Sequence, residues 1–239
     1  MATPVLTSQE VAELNRRFET AQPTEIIRWA VETFRPEVAL TSSFGADSAA
    51  LIHMAIQVDP KFNIRTVDTG LLFPETYQFM EELRQRFNLN LKVFKTKLDV
   101  ERFKREHGHL PIGHPEFCCS ESKVEAMQRA LDGLRCWITG ISRSESPTRA
   151  NTPFVELLTT GVTKVAPLAA WTDKDIHAYM TKHQLPYHPL WHQGYTSIGC
   201  WPCTQRPVDP NNPRSGRWPG QDKTECGIHD LGKPPQPSK

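Results

Sequence analysis

The stretch Val38–Ser48, with the sequence VALTSSFGADS, determines the fold that we predict for this chain. An apolar run, Val38–Thr41, is followed by small residues around Gly45 and by a helical pattern that begins near Asp47. A strand, a tight turn and a helix N-terminus bring backbone N–H groups and the positive end of a helix dipole to one point. The stretch therefore predicts an anion site, although Ser and Asp at these positions are also typical of a plain helix cap.

Apolar runs and helical patterns alternate over the first three quarters of the chain. Further short strand-like runs lie at residues 64–67, 91–94 and 136–138, and the stretches between them have helical periodicity. A later helix is predicted to begin at Thr172, which has capping-box spacing to Asp175. This alternation predicts an α/β protein with an open, mainly parallel sheet flanked by helices.

Length and composition limit the architecture and the function. The 239 residues are enough for one domain with a full core, and 28 Lys plus Arg against 27 Asp plus Glu give a net charge of +1. That balance disfavours a nucleic-acid binder, and no run reaches the roughly 20 apolar residues that span a membrane. The N-terminus carries no secretion signal, so we expect no nucleic-acid or membrane partner and a location in the reducing cytoplasm.

The composition changes near residue 189. Nine prolines and six glycines between Pro189 and Lys239 interrupt any regular periodicity. We therefore divide one domain into an α/β part, residues 1–188, which contains the predicted anion site, and an irregular C-terminal segment, residues 189–239. A segment of this kind needs something other than secondary structure to hold it, and its end, Gly232–Lys239, is predicted to be a disordered tail.

Two more strand ends carry polar residues that could meet one ligand. Asp68, Thr69 and Gly70 follow the second strand-like run, and Gly140 opens a turn with Arg143 and Arg149 after the run at 136–138. Because ligands of open parallel sheets lie at the carboxyl ends of the strands, these groups suit a nucleoside and a sulfate or phosphate. The alternatives are a plain Asx turn and a solvated loop.

Four of the six cysteines form a metal-binding pattern. Cys118 and Cys119 are adjacent, and eighty residues separate them from the C-x-x-C of Cys200 and Cys203. Four thiolates suit tetrahedral zinc or an iron–sulfur cluster, whereas buried free thiols are the remaining interpretation. A vicinal pair combined with a distant C-x-x-C favours the iron–sulfur cluster.

The other two cysteines have different surroundings. Cys136 lies inside an apolar run and is predicted to be a core residue. Cys226 lies alone near the C-terminus, apart from the C-x-x-C and close in sequence to Lys223 and His229. A lone thiol with basic neighbours is a candidate nucleophile, because only the thiolate attacks.

Together, the SSFGADS turn, the spaced cysteines and the ECGIH segment at 225–229 resemble the assimilatory adenylyl-sulfate (APS) and phosphoadenylyl-sulfate (PAPS) reductases, in particular the iron–sulfur APS type. The resemblance implies an adenine-nucleotide α-hydrolase-like, or PP-loop, fold. It also implies that Cys226 is the catalytic nucleophile and that a 4Fe–4S cluster is held by Cys118, Cys119, Cys200 and Cys203. Substrate contacts are implied for Ser42, Ser43, Gly45, Asp47, Ser48, Asp68, Thr69, Gly70, Lys123, Gly140, Arg143, Arg149, Arg214, Arg217 and His229. The chain departs from the family pattern at Ser142 and Glu145.

The resemblance implies reduction of APS to sulfite and AMP through an S-sulfocysteine on Cys226, in sulfate assimilation and cysteine biosynthesis. A separate thioredoxin or glutaredoxin is the implied reductant, and a homo-oligomer is compatible with the sequence. The alternatives are a PAPS or dual-specificity reductase, a PP-loop tRNA-thiolating enzyme, and a zinc-stabilised nucleotide-binding module without catalysis. The near-neutral charge disfavours the tRNA enzyme.

Overall fold

The computed structural model describes residues 6–107, 113–209 and 212–232. Its helices are α1 (Ser8–Phe18), α2 (Pro23–Phe34), α3 (Ala49–Val58), α4 (Pro74–Arg86), α5 (Val100–His107), α6 (Pro115–Cys119), α7 (Glu125–Leu131) and α8 (Asp173–Lys182). Its strands are β1 (Val38–Thr41), β2 (Asn63–Asp68), β3 (Asn90–Lys95), β4 (Cys136–Ile138), β5 (Val155–Leu157) and β6 (Thr163–Val165). A π-helical turn, Ser120–Val124, joins α6 to α7.

The strands form one six-stranded sheet in the order β3-β2-β1-β4-β6-β5. Neighbouring strands are parallel except for β5 and β6, which are antiparallel, and Leu40 of β1 lies opposite Ile64 and Ile138. The predicted open, mainly parallel sheet is therefore confirmed, as are its first four strands. The strands β5 and β6 were not predicted, because each has a charged residue at its centre, Glu156 or Lys164, and therefore forms no apolar run.

The core forms around β1, whose four residues are all buried. The apolar faces of α2 and α3 pack against it, and Cys136 is fully buried, as predicted from its apolar run. The helix predicted to begin at Thr172 is α8, whose capping box with Asp175 is formed. A similar box between Thr7 and Glu10 opens α1, so the sequence carried a signal for that helix too.

The C-terminal segment contains only short 3-10 turns within its described residues, which confirms its irregular character. It is held to the sheet by contacts with the loops that follow β1 and β2. The backbone N–H of Trp201 donates to the Leu71 carbonyl at 2.9 Å, while Leu190 and Ile198 pack on Ala46. The segment therefore lies over the carboxyl edge of the sheet. Except for Gly232, the predicted tail falls outside the described residues.

Within the described parts of the chain, none of the helices has the combination of length and apolar composition that a bilayer crossing requires.

The backbone N–H and carbonyl of Val155, on the edge strand β5, both form hydrogen bonds with one side chain of α1. Asn15 Nδ2 donates to the Val155 carbonyl at 2.8 Å, and Asn15 Oδ1 accepts from the Val155 N–H at 3.0 Å. We expect Asn15→Ala to lower the free energy of unfolding by about 1–3 kcal/mol, because both backbone groups lose their partner. Urea denaturation measures the free energy of unfolding of this variant. The control is Glu13→Ala, a substitution at an exposed position of the same helix. Equal losses in the two variants would contradict the expectation.

Candidate active site

A cavity of about 240 Å³ lies at the carboxyl ends of β1, β2 and β4, with the C-terminal segment over it. Its walls combine the turn after β1, the turn after β4, the π-helical turn and the last described part of the chain. Thirteen of the predicted substrate and catalytic residues line this cavity: Ser42, Ser43, Gly45, Asp47, Ser48, Thr69, Lys123, Gly140, Arg149, Arg214, Arg217, Cys226 and His229. Stretches far apart in sequence thus meet at one site.

The turn after β1 directs its side chains to the cavity and does not cap a helix with them. The helix α3 begins at Ala49, and its N-cap residue, Ser48, makes no side-chain capping hydrogen bond. Phe44, fully buried, holds a left-handed backbone conformation with φ of 50°, which is unusual for an aromatic residue. Strained backbone of this kind concentrates at functional turns. The plain helix cap is therefore the weaker interpretation of this turn.

Three predicted substrate residues lie outside the cavity lining. The Asp68 carboxylate accepts from the Gly70 N–H at 2.9 Å and from the Tyr77 hydroxyl at 2.7 Å, which is an Asx turn. The Arg143 guanidinium donates to Glu19 at 2.9 and 3.0 Å and packs on the Phe154 ring. The structure does not bring Asp68, Gly70 or Arg143 to the cavity.

Cys226 lies in the cavity with two cations beside it. It is half-buried, and its sulfur interacts electrostatically with Lys123 and Arg217. Burial alone would lower the pKa of Lys123, but the Cys200, Cys226 and Cys119 sulfurs outweigh burial and raise that pKa. A thiol among cations is the environment in which cysteine acts as a nucleophile.

The other two cations of the cavity are engaged by an acidic residue next to Cys226. Glu225 receives two hydrogen bonds from Arg149, both at 2.8 Å, and one from Arg214 at 3.2 Å. Burial lowers the pKa of Arg214 to about 10, and the neighbouring Arg149 adds to this. Although burial would raise the pKa of Glu225, its bonds with Arg149 hold it below the ordinary value. Arg149 also pairs with Glu145.

Three cysteines of the predicted cluster site, Cys118, Cys200 and Cys203, interact across two parts of the chain, and Cys119 follows Cys118 at the end of α6. Cys118 and Cys200 share a small buried cluster with Leu71, and the Cys203 N–H donates to the Cys200 carbonyl at 3.1 Å. Burial raises the pKa of Cys118 and Cys203, and that of Cys119 to about 11. Among residues 6–107, 113–209 and 212–232, no group of three or more His, Cys, Asp or Glu side chains is already placed to hold a metal ion.

Two buried polar atoms beside Cys203 bear on what these thiols hold. Trp218 Nε1 and Thr204 Oγ1 make no hydrogen bond within the described residues. Thr204 follows Cys203 directly, and the Trp218 backbone N–H donates to the Cys203 carbonyl at 3.0 Å. Buried donors without acceptors are costly, so a bound group that accepts from them would remove the cost. The donor set and these two atoms fit a thiolate-bound iron–sulfur or zinc group.

Sequence reasoning missed several residues of the site. Trp218, Glu225 and Gly199 were not singled out, although all three line the cavity. The Arg217 guanidinium occupies the space that a Cβ on Gly199 would take, so it would have to move if residue 199 carried a side chain. The ECGIH motif contained Glu225, but only the tertiary contacts give it a role.

One titration in the cavity has a measurable consequence for stability. Burial, assisted by the nearby Glu145, raises the pKa of Asp47 from 3.8 to about 6. Between those pH values the folded state binds the proton more tightly than the unfolded state. This contribution to the unfolding free energy therefore falls as pH rises, by about 3 kcal/mol at most, since one pKa unit corresponds to about 1.4 kcal/mol.

We expect Asp47→Asn to remove this pH dependence and to stabilise the protein relative to wild type more at pH 7 than at pH 4. The difference between the two unfolding free energies, measured in urea at both pH values, isolates Asp47 from the other carboxylates. A difference that does not change with pH would contradict the raised pKa.

Comparison with known proteins gives a consistent result. Residues 37–206 match the family model described as the phosphoadenosine phosphosulfate reductase domain. A Salinibacter ruber protein named adenosine 5'-phosphosulfate reductase is 39% identical, covering 93% of this chain and 89% of its own. An Alkalilimnicola ehrlichii protein named phosphoadenosine 5'-phosphosulfate reductase is also 39% identical, covering 95% of this chain and 94% of its own.

Solved structures agree with these sequence matches. The phosphate complex of a PAPS reductase from Candida auris has a TM-score of 0.75 and 28% identity, covering 85% of this chain and all of its own. A variant of the Candida glabrata FMN adenylyltransferase has a TM-score of 0.60 at 16% identity, covering 98% of this chain and 77% of its own. The second likeness concerns the fold alone.

Proposed function

The chain belongs to the phosphoadenosine phosphosulfate reductase family, and from that membership we propose that it reduces APS to sulfite and AMP with thioredoxin as reductant. It is an oxidoreductase that acts on the sulfur of a sulfonucleotide. The single observation that carries the proposal is the position of Cys226 in the same cavity as the SSFGADS turn and four cationic side chains.

The first step that we propose is nucleophilic. The Cys226 thiolate attacks the sulfur of APS, and the bond between that sulfur and the phosphate oxygen of AMP breaks. AMP leaves with the electron pair, and Cys226 becomes an S-sulfocysteine. Lys123 and Arg217, the cations that interact with the Cys226 sulfur, stabilise the charge that develops on the oxygens.

The second step requires an external thiol. A thioredoxin thiolate attacks the Cys226 sulfur and expels sulfite, leaving a mixed disulfide that the second thioredoxin thiol resolves. Apart from Cys226, the described cysteines are a core residue and the four of the predicted cluster site. We therefore propose a separate thioredoxin, or glutaredoxin in its place, and a reducing compartment such as the cytoplasm.

We propose APS as the preferred substrate, and two features support it over PAPS. The first is the resemblance of the cysteine spacing to the iron–sulfur APS type. The second is the Asp47 carboxylate in the cavity wall, which disfavours an additional phosphate beside it. A PAPS or dual-specificity reductase is the alternative, since relatives under both names match equally well.

From the resemblance we propose a 4Fe–4S cluster held by Cys118, Cys119, Cys200 and Cys203. When bound, such a group joins the C-terminal segment to the helix α6 and supplies a local electrostatic field. Trp218 Nε1 and Thr204 Oγ1 are the buried donors beside Cys203 that remain available to it. The proposed thiol chemistry takes no electron from the cluster.

The proposed activity predicts sulfite release by anaerobically purified protein with reduced thioredoxin. We expect kcat/KM for APS to exceed that for PAPS by about tenfold or more, because an extra phosphate meets like charge. A ratio at or below one would reverse the proposed preference. No sulfite from either substrate, with the cluster intact, would overturn the reductase proposal.

The nucleophile is tested by Cys226→Ser, for which we expect no sulfite release and unchanged AMP affinity, since the hydroxyl retains the shape without the thiolate. The control is Cys136→Ala, which removes a fully buried thiol far from the reacting atoms. Wild-type turnover by Cys226→Ser would contradict the mechanism.

The cluster proposal predicts a brown protein containing iron. Cys118→Ser removes one of the four thiolates, so we expect it to lose visible absorption and iron, whereas Cys136→Ala keeps both. Iron and absorbance are measured on the same anaerobic samples. A colourless wild-type protein that contains zinc would contradict the cluster and favour the zinc-stabilised alternative.

A further inference from the structure

The four cations of the cavity fall into two pairs according to what they contact. Lys123 and Arg217 interact with the Cys226 sulfur. Lys123 donates no hydrogen bond among the described residues, and the Arg217 hydrogen bonds go to Ser197 Oγ and the Cys203 carbonyl, at 3.3 and 3.4 Å. Neither cation forms a salt bridge with a carboxylate in the described structure, although Glu225 also acts on Arg217 electrostatically, so this pair lacks the direct carboxylate partner that Arg149 and Arg214 have.

The second pair, Arg149 and Arg214, is occupied from within the chain. Both carboxylate oxygens of Glu225 accept from Arg149, and Thr148 Oγ1 donates to one of them at 3.2 Å. Arg214 donates to the same carboxylate and, at 2.9 Å, to the Thr224 carbonyl. The arginine side chains are only 12% and 13% exposed. Charge-assisted bonds in such surroundings are strong and directional.

The chain is also fixed on the other side of Cys226. Gly227 takes a left-handed conformation, with φ of 84°, and turns the chain back towards the sheet. The His229 ring then stacks on Trp137 with centroids 5.7 Å apart, and Lys164 donates to the His229 carbonyl at 3.0 Å. Cys226 thus lies between two residues whose positions are fixed by contacts: Glu225, which precedes it directly, and His229, three residues later.

We infer that Glu225 is a positioning residue, whose bonds to Arg149 and Arg214 hold Cys226 at the position from which it attacks. The inference rests on the proposed function of Cys226. In this account Lys123 and Arg217 act electrostatically on the Cys226 sulfur, whereas Arg149 and Arg214 act on Cys226 through Glu225. Holding a nucleophile in its reactive geometry accelerates attack without a matching gain in ground-state binding.

A competing account gives a different measurable result. If Arg149 and Arg214 bound the nucleotide directly, Glu225 would be a competing anion at their guanidinium groups. Removing its charge would then tighten nucleotide binding. If Glu225 instead positions Cys226, removal of its charge slows the attack and leaves the affinity for nucleotide nearly unchanged.

The experiment compares Glu225→Gln with wild type and with Glu81→Gln, which breaks an exposed ion pair on α4. The cluster-loaded proteins receive saturating APS without reductant, and the AMP released in a single turnover is timed. AMP affinity is measured by calorimetry, and alkylation of Cys226 by iodoacetamide is followed by mass spectrometry.

For Glu225→Gln we expect AMP release to slow by about tenfold or more, while AMP affinity changes less than about threefold. We also expect faster alkylation of Cys226, because the thiol spends more time outside the cavity. Glu81→Gln should match wild type in all three measurements. An unchanged rate of AMP release would overturn the inference, as would a change in AMP affinity as large as the change in rate.

Two further comparisons keep the result interpretable. Glu225→Asp retains the charge on a shorter side chain, so we expect its rate between those of wild type and Glu225→Gln. A rate below that of Glu225→Gln would overturn the inference. Absence of AMP release from wild type would instead contradict the proposed function, whereas normal wild-type release with an equally fast Glu225→Gln contradicts only the role of Glu225.

Discussion

The C-terminal segment has to be fixed to the carboxyl edge of the sheet by contacts other than its own secondary structure. The pairing of Leu72 with Cys200 and the packing of Leu190 and Ile198 on Ala46 provide these contacts. They close the cavity over the strand ends and place Cys200 beside Cys118. Without them, neither the thiol group nor the position of Cys226 would be defined, because residues 189–232 cannot bury enough apolar surface alone.

The closed segment concentrates charge in a small volume. Four cations line the cavity, and burial opposes the charge on Arg214 and Arg217. The arrangement is stable only if anions compensate, and the segment brings one of them itself, Glu225. The same residue that balances the arginines therefore determines where its neighbour, Cys226, lies. Charge compensation and alignment of the nucleophile are therefore linked through the Glu225 carboxylate.

Local patterns in the sequence were enough to predict the first four strands of the sheet, the turn after β1 and the burial of Cys136, because each depends on neighbouring residues. The separation of Arg143 from Arg149 could not be predicted in this way. Both lie in one turn, yet Arg143 packs on Phe154 and Arg149 enters the cavity. That difference is produced by contacts with α1 and with the C-terminal segment, which are distant in sequence.

The same limit applies to the strained or unpartnered parts of the site. No local signal in SSFGADS indicates the left-handed backbone of Phe44, and none in the C-terminal segment indicates the buried Trp218 indole. Both depend on how the segment packs over the strand ends. The residue types in the motifs therefore predicted most of the residues that line the site. Tertiary packing determined which of those residues form hydrogen bonds or ion pairs with one another.

The central claim is that the Cys226 sulfur attacks the sulfur of the nucleotide. Peptide mapping by mass spectrometry, after incubation with APS and no reductant, tests it most directly. The account predicts a sulfo group on the peptide that contains Cys226 and on no other cysteine peptide. A sulfo group on a different cysteine, or AMP release with every cysteine unmodified, would contradict it.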